Sequence, residues 1–336
     1  LTMTNEFKWV SEDPEDFRYI PGIDKKPWDD RTEGWKKPAP NYEFNELERV
    51  NMELLEPEDR NDSFVEIVQG FSKKQAEKEA DRCIDCGLCV ATCPAHMGIP
   101  EYIKTVRNDN LEEGLRIMYE TNPLPEICGR ICTHKCETVC AMGHRGEPIS
   151  IRWLKRYIAD QNPAEEYQRI LHSDDIDTND KKVAIIGSGA SGLSAAYYLR
   201  TLGYQVKIFE EFEAAGGMMR YGIPSYRLPY DQIEKDLDYI LSLGVEIQYN
   251  TKVGKDVTLE ELHEEYDAVF AGTGLHAGRS TKVPGSEHKH NYMAAELLRK
   301  ITKGEEIHVA NRIIVIGGGN VAMDITRSLA RLQNQK

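Results

Sequence analysis

Basic residues are scarce: 42 Lys and Arg stand against 56 Asp and Glu, a formal net charge of -14 over 336 residues. Affinity for a phosphate backbone rests mostly on cationic neutralisation, so the deficit argues against DNA or RNA as a partner. Long apolar runs are missing as well. The opening residues, LTMTNEFKWVSEDPEDF, hold no apolar signal core, and no run of about 18 apolar residues occurs that would span a bilayer. The expectation is a cytoplasmic protein with no membrane span. Cysteine is absent from positions 1–82 and from every position after 140. That excludes a distributed disulfide framework, and without a secretion signal, clustered thiols more often hold metal than pair with one another. With 40% hydrophobic residues, the chain can bury two or three cores and is read as multidomain.

All eight cysteines fall between 83 and 140. The first four read Cys83-x2-Cys86-x2-Cys89-x3-Cys93-Pro94, the spacing with which ferredoxin-like chains wrap a 4Fe-4S cubane. Three thiolates in such a loop grip one cluster while the fourth, followed by proline, reaches a neighbouring one, so a second group of thiols is required. It stands at Cys128-x3-Cys132-x3-Cys136-x3-Cys140, completing the eight thiols of two 4Fe-4S clusters. Zinc is the competing metal, but structural zinc sites pair two CxxC knuckles across a longer loop, whereas here four thiols follow one another, twice. With the thiol count complete, His96, His134 and His144 read as solvent-facing or backbone-bonded. The surroundings read as helical. Ser72 and Gln75 form a capping box opening a helix that delivers Cys83. Amphipathic stretches follow through IPEYIKTVR, through LEEGLRIMY after Asn110 with Glu113, and through SIRWLKRYIAD with Ser150 as N-cap.

Past a charged, turn-rich linker the composition changes to apolar runs broken by glycine. VAIIGSGASGLSAAYYLRTLGYQVKIFEE reads as strand, turn, helix and strand, with Gly187-x-Gly189-x-x-Gly192 at the turn and Glu210 closing the second strand. Gly187 permits the tight turn, Gly189 lets the backbone approach a pyrophosphate, and Gly192 lets the helix pack against the strand with its amides facing the phosphates. Glu210 would hold ribose hydroxyls. The pattern recurs at IIVIGGGNVAMDITRSLARL, where Gly317-x-Gly319-x-x-Ala322 follows a second apolar strand and opens a second helix. Two such modules suggest a flavin and a nicotinamide face to face, since a hydride passes directly between their rings. A second module kept for structure alone is the competing reading.

These residues resemble the flavoprotein oxidoreductases similar to the glutamate synthase small subunit and the N-terminal half of dihydropyrimidine dehydrogenase. The resemblance covers roughly residues 65–336 and rests on both cysteine motifs, GSGASG, GGMMRYGIPSYRLP at 216–229, AGTGLHAGRSTKVPG at 271–285, with its Gly272, Thr273 and Gly274, and GGGNVAMD at 317–324. It implies FAD at the first fingerprint beside Gly216 and Gly217, with Tyr221, Gly222, Ile223 and Pro224 near the flavin ring. It implies NAD(P)H at Gly317, Gly319, Asn320 and Ala322. It also implies that the clusters exchange ligands: Cys83, Cys86, Cys89 and Cys140 for one, Cys93, Cys132 and Cys136 for the other. Relatives often take the remaining ligand from a Gln or Glu on the helix after the second motif. The matching position here is Lys155, a cation that cannot ligate, and Cys128 stands in as the candidate. The tight Cys86-x2-Cys89 spacing looks more like the electron-input subunits of NAD(P)H-linked iron reductases, formate dehydrogenases and hydrogenases.

The expected organisation is an extended N-terminal arm over 1–62 carrying Trp9, Trp28 and Trp35, either disordered or docked on a partner subunit, and an α-helical domain with two 4Fe-4S clusters over 63–165. A linker over 166–181, the first part of an α/β Rossmann-like FAD domain over 182–285, and a truncated start of a Rossmann-like NAD(P) domain over 286–336 would follow. The expected function is electron transfer between NAD(P)H, FAD and the clusters, to or from a partner redox subunit or a ferredoxin, with the chemistry borne by cofactors and not by catalytic side chains. A glutamate synthase small subunit-type donor, an electron-bifurcating subunit and a non-catalytic electron-transfer or assembly module are the alternatives.

Overall fold

The computed structural model describes residues 47–144, 146–171, 176–278 and 283–335. Trp9, Trp28, Trp35 and most of the expected arm lie outside the described residues.

Among the described residues, nine α-helices run up to residue 171: α1 (Pro57–Asn61), α2 (Lys73–Asp81), α3 (Leu88–Thr92), α4 (Ile99–Arg107), α5 (Leu111–Tyr119), α6 (Pro125–Ile131), α7 (Lys135–Thr138), α8 (Ile151–Gln161) and α9 (Tyr167–Leu171). Their starts follow local chemistry. Ser72 and Gln75 close the expected capping box, Gln75 N donating to Ser72 Oγ at 3.4 Å and Ser72 N to Gln75 Oε1 at 2.9 Å. Asn110 Oδ1 accepts from Glu113 N at 3.4 Å at the head of α5. Helix α8 begins after Ser150 as expected, but that side chain does not cap it. Ser150 Oγ takes a hydrogen bond from Arg49 Nε at 2.9 Å, and Ser150 N donates to the buried Glu79 at 2.7 Å, so a tertiary partner displaces the local one. Leu154, Ile158 and Ala159 of α8 are fully buried among the surrounding helices.

Residues 49 and 50, read from sequence as part of the arm, lie against this helical body. Arg49 pairs with the buried Glu137 at 3.1 Å and covers the Trp153 ring at 5.0 Å, while Val50 N donates to Glu79 at 2.7 Å. The expected linker is likewise not all connector. Helix α9 buries Tyr167 and Ile170 completely, because its apolar face meets α5 and the next domain.

That domain holds β1 (Lys182–Ile186), α10 (Ala190–Thr201), β2 (Gln205–Phe209), α11 (Met218–Tyr221), α12 (Tyr230–Ser242), β3 (Glu246–Gln248), α13 (Leu259–Glu265) and β4 (Ala268–Ala271). The four strands are parallel in the order β3-β2-β1-β4. Both faces of the sheet are covered, as parallel sheets require. Val183, Ile185, Val206 and Ile208 pack with Leu193 and Ala196 of α10, while Ala184 and Phe209 pack with Leu262 and Tyr266 on the other side.

The helical and α/β domains share a buried seam. Tyr119 (α5), Tyr167 (α9) and Tyr239 (α12) meet edge to face, with centroids 5.1–5.8 Å apart, and Tyr197 (α10) packs beside them. Next to them Glu126 accepts from Tyr167 Oη at 2.9 Å and pairs with Arg130 and Lys235. Asp236 of α12 accepts from Glu126 N at 3.4 Å and Ile127 N at 3.1 Å, capping α6 from across the seam.

Two further helices, α14 (Ala294–Thr302) and α15 (Asn320–Asn334), pack through Leu297, Leu298, Ile325 and Leu329. The strand expected ahead of Gly317 does not form a ladder. Residues 313–316 pair with no other strand among the described residues, and Ile314 is 90% and Ile316 74% exposed. A β-strand takes its hydrogen bonds from neighbours, and an apolar pattern without one has nothing to pair with.

Candidate metal centre and nucleotide site

Cys83 follows the end of α2, and the loop after it turns sharply because Asp85 (φ 55°) and Gly87 (φ 75°) are left-handed. Arg107 of α4 pins this loop, donating to Ala80 O at 3.0 Å and Cys83 O at 2.8 Å and pairing with Asp85 at 3.0 Å. Cys89 rides on α3 and Cys93 ends it, one helical turn later. Cys128 lies on α6, Cys132 ends that helix, Cys136 lies on α7, and Cys140 follows. Because α3 packs beside α7, the two motifs are interleaved rather than stacked end to end.

The eight cysteines are free thiols in two groups. Cys83, Cys86, Cys89 and Cys140 line one small cleft, walled by Ile84, Pro100, Ile103, Met142, Ile149 and Ile151. Cys93, Cys128, Cys132 and Cys136 form the other neighbourhood: Cys132 acts electrostatically on both Cys128 and Cys136, and Cys93 acts on Cys136. Burial holds the Tyr102 hydroxyl of α4 well above its ordinary value, and thiols of both groups, Cys136, Cys89, Cys93 and Cys132, push it the same way. Burial pushes the thiols of Cys83 and Cys136 up to about 12 and that of Cys89 to about 11. Thiols so raised keep their protons at neutral pH until a metal displaces them. Backbone amides point at two of the sulfurs, Ile149 N to Cys140 Sγ at 3.5 Å and His134 N to Cys132 Sγ at 3.4 Å. Buried thiols, apolar walls and amide donors to sulfur form an environment that fits iron-sulfur clusters. Among the described residues no three Cys, His, Asp or Glu donors converge on a point where one ion would sit. His96 and His144 are exposed, and His134 faces Glu137 at 3.4 Å.

The first fingerprint lies beyond the C-terminal ends of the strands, where the chain leaves β1 for β2 on one side and returns through β4 on the other, the usual position of a ligand crevice. Its three glycines meet different surroundings. Gly187 has φ +95°, and a Cβ there would lie 2.6 Å from Gly272 O; a Cβ at Gly192 would lie 1.9 Å from Gly187 O. At Gly189 the nearest atom is Gly217 Cα at 3.8 Å, so its backbone is open to approach. Gly216 N donates to Ser188 O at 3.0 Å, bringing the 216–217 turn onto the loop. Glu210 is buried directly after β2, its carboxylate accepting from Ser188 N at 2.8 Å, Phe212 N at 2.9 Å and Ser188 Oγ. Tyr221 is buried against Phe212 at 4.8 Å, Gly222 and Pro224 are buried next to it, and Ile223 is half-buried. Gly272 packs on the loop, whereas Thr273 and Gly274 are exposed.

The second fingerprint is more open. Gly317 has φ +122°, Gly319 caps α15, Asn320 and Ala322 occupy its first turn, and a Cβ at Gly319 would meet nothing within 4 Å. Asp324 in this helix is buried, paired with Arg227, and its carbonyl accepts from Tyr226 Oη at 3.0 Å. The segment after the 216–217 turn is thereby tied to the second module. Arg107, Arg49, Asp236 and this Arg227–Asp324 tie were not found by sequence reasoning; each joins positions far apart in the chain and leaves no spacing signal.

Residues 60–167 match the family described as dihydropyrimidine dehydrogenase domain II, 4Fe-4S cluster, and residues 181–335 match pyridine nucleotide-disulphide oxidoreductase. The NADP(+)-dependent formate dehydrogenase subunit beta of Moorella thermoacetica is 40% identical over 272 residues, covering 72% of this chain and 38% of its own. The NADPH-Fe(3+) oxidoreductase subunit beta of Geobacter sulfurreducens is 37% identical over 252 residues, covering 72% and 37%. The glutamate synthase (NADPH) small chain of Escherichia coli is 34% identical over 305 residues, covering 86% and 64%. The chain spans less than two thirds of the length of each of these relatives. No helix among the described residues is long and apolar enough to cross a membrane. With the two matches in series, the chain carries a dihydropyrimidine dehydrogenase-type 4Fe-4S domain followed by a pyridine nucleotide-disulphide oxidoreductase domain and is similar to the oxidoreductase subunits named above.

Proposed function

We propose that this chain is the electron-input subunit of a multisubunit NADPH-linked oxidoreductase, carrying two 4Fe-4S clusters and FAD. The observation that carries the reading is the crosswise grouping of the thiols beside a fingerprint whose Gly189 backbone is open and whose Glu210 is already oriented. Cys83, Cys86, Cys89 and Cys140 would hold one cluster and Cys93, Cys128, Cys132 and Cys136 the other. Four thiols in close succession, twice, suit a cubane, in which each thiolate takes its own iron, better than the paired knuckles of tetrahedral zinc. When bound, FAD exchanges a hydride with NADPH and passes electrons singly to clusters. The protein's part is placement: Gly187, Gly189 and Gly192 with Gly216 and Gly217 shape the pyrophosphate cradle, and Glu210 orients the loop toward the ribose. The Tyr221–Pro224 segment supports the ring.

Residues 286–336 read as nicotinamide-module sequence, since Gly317, Gly319, Asn320 and Ala322 stand at the head of α15. NADPH rather than NADH follows from the three relatives, whose names all carry NADP(+) or NADPH. A partner redox subunit of the same complex, or a ferredoxin, would take the electrons. Anaerobic addition of NADPH to the complete complex tests this: flavin absorbance should bleach, followed by signals of reduced clusters. A protein that binds NADPH without bleaching is a non-catalytic module, and the proposal fails.

A further inference from the structure

The second nucleotide module shares no strand pairing with the four-stranded sheet among the described residues, so side chains of α14 and α15 hold it in place. On the α14 flank those contacts are open to water. Lys303 pairs with Glu213 at 3.1 Å with the two side chains 25% and 54% exposed, and Tyr230 Oη donates to Thr302 Oγ1 at 3.2 Å. On the α15 flank they are buried. Asp324, five residues past Gly319, pairs with Arg227, and its carbonyl accepts from the buried Tyr226 Oη at 3.0 Å. Two turns further along the same helix face, Arg331 places its guanidinium 4.0 Å from the centre of the Tyr226 ring and donates from Nε to Ser63 O at 2.8 Å. The stretch that supplies Ser63 also braces Tyr226 from behind: Ile67 N donates to Tyr226 O at 3.1 Å, and Ser225 Oγ to Phe64 O at 3.0 Å.

Exposed ion pairs fix little, whereas breaking a buried one is costly, so the α15 flank decides where the second module sits. Tyr226 and Arg227 follow Pro224 by two and three residues. One short segment thus supports the flavin ring at its start and grips the helix of the second fingerprint at its end. We propose that Arg227 is a positioning residue: with Tyr226 and Arg331 it fixes α15 relative to the flavin site and so sets the approach of the nicotinamide ring to the flavin ring. The proposal rests on the reading of the two fingerprints as FAD and NADPH sites. Hydride transfer, which oxidises NADPH to NADP+ and reduces the flavin, needs the reacting atoms about 3–3.5 Å apart, and a displacement of about 1 Å can slow such a step roughly a hundredfold.

The test uses the full chain in its complex, purified anaerobically with its flavin. Two quantities are measured: the rate of flavin bleaching after rapid mixing with a range of NADPH concentrations, and hydrogen-deuterium exchange of the α15 amides without NADPH. A wild type that does not bleach refutes the reading of the two sites and this inference with it; a wild type that bleaches leaves only the inference at stake. Arg227→Met should then keep its flavin and bleach at least about tenfold more slowly at saturating NADPH, with the half-saturating concentration within about twofold of wild type. Exchange in α15 should be faster, while reduction by dithionite, which needs no nicotinamide, should keep its wild-type rate. Arg227→Lys retains the charge opposite Asp324 and should recover most of the bleaching rate. Asp324→Asn, made in the second module, should show the same defect as Arg227→Met. A wild-type bleaching rate in Arg227→Met, a loss that saturating NADPH restores, or loss of flavin in both Arg227→Met and Asp324→Asn overturns the proposal.

Discussion

Two alanines placed three residues apart in the first fingerprint should fail in different ways. At Gly192 a methyl would sit 1.9 Å from Gly187 O, a backbone atom that cannot rotate away, whereas real Cβ contacts essentially never fall below 3.0 Å. The head of α10 must then move off β1 by about 1 Å. Overpacking of this kind typically costs 1–3 kcal/mol, and a backbone clash belongs at the upper end, about 3 kcal/mol. For a domain of this size that is roughly 6–12 °C of Tm. At Gly189 the added methyl meets only Gly217 Cα at 3.8 Å, ordinary contact, and the backbone there has an unstrained φ of -75°. Gly189→Ala should therefore leave the flavin-free protein as stable as wild type, or up to about 1 kcal/mol more stable through the unfolded chain. The same methyl occupies the space a pyrophosphate needs. The assay is paired: thermal unfolding after the flavin is stripped, and flavin content from the absorbance ratio of protein as purified. Gly192→Ala should lose both stability and flavin, and Gly189→Ala flavin alone. Wild-type flavin content in Gly189→Ala would refute the claim that the cofactor approaches there.

Glu210→Ala should leave the amides of Ser188 and Phe212 without their acceptor, at about 1–3 kcal/mol for each buried donor, so the flavin-free protein melts earlier and the rebuilt loop binds FAD weakly. Arg107→Ala should loosen the turn around Asp85 and let chelators strip the cluster beside Cys83 faster than the one beside Cys132; equal stripping rates would count against it. Asp236 is held well above the usual carboxylate range by burial and then by the Glu126 charge. A folded value above the unfolded one means that protonation favours the fold, a contribution complete below the unfolded value and lost as pH rises through the folded one. Asp236→Asn should thus gain on wild type in denaturant melts as pH is raised, and a constant difference between pH 5 and 8 would contradict this.

Much of the architecture was legible because its causes are local. Gly187, Gly189 and Gly192 could be given separate roles from spacing, and their surroundings differ: a positive φ at Gly187, open space at Gly189 and no room for a Cβ at Gly192. The capping box at Ser72 and the cap at Asn110 involve side chains three residues from their targets. Ser150 misled for the opposite reason: its hydroxyl had a better partner in Arg49, about a hundred positions away. The residues before Gly317 carry a strand pattern, but pattern supplies only half of a ladder. Residues 48–62 have no periodicity, and their partners lie far along the chain: Glu137, Ser150 and Trp153 for Arg49, Glu79 for Val50, and the end of α15 for Asn61 and Asp62.

The tyrosine seam has a consequence for how this protein could be recombined. Composition changes abruptly near residue 181, and a protein engineer would cut there to transplant the iron-sulfur module onto another flavoprotein. Tyr119 and Tyr167 would leave with the graft while Tyr197 and Tyr239 stayed behind, and Asp236 would no longer hold the amides at the head of α6. The helix bearing Cys128 would lose its cap to a cut made more than fifty residues away in sequence. A transplantable unit must therefore include α12 or a redesigned surface that repeats its ring and carboxylate.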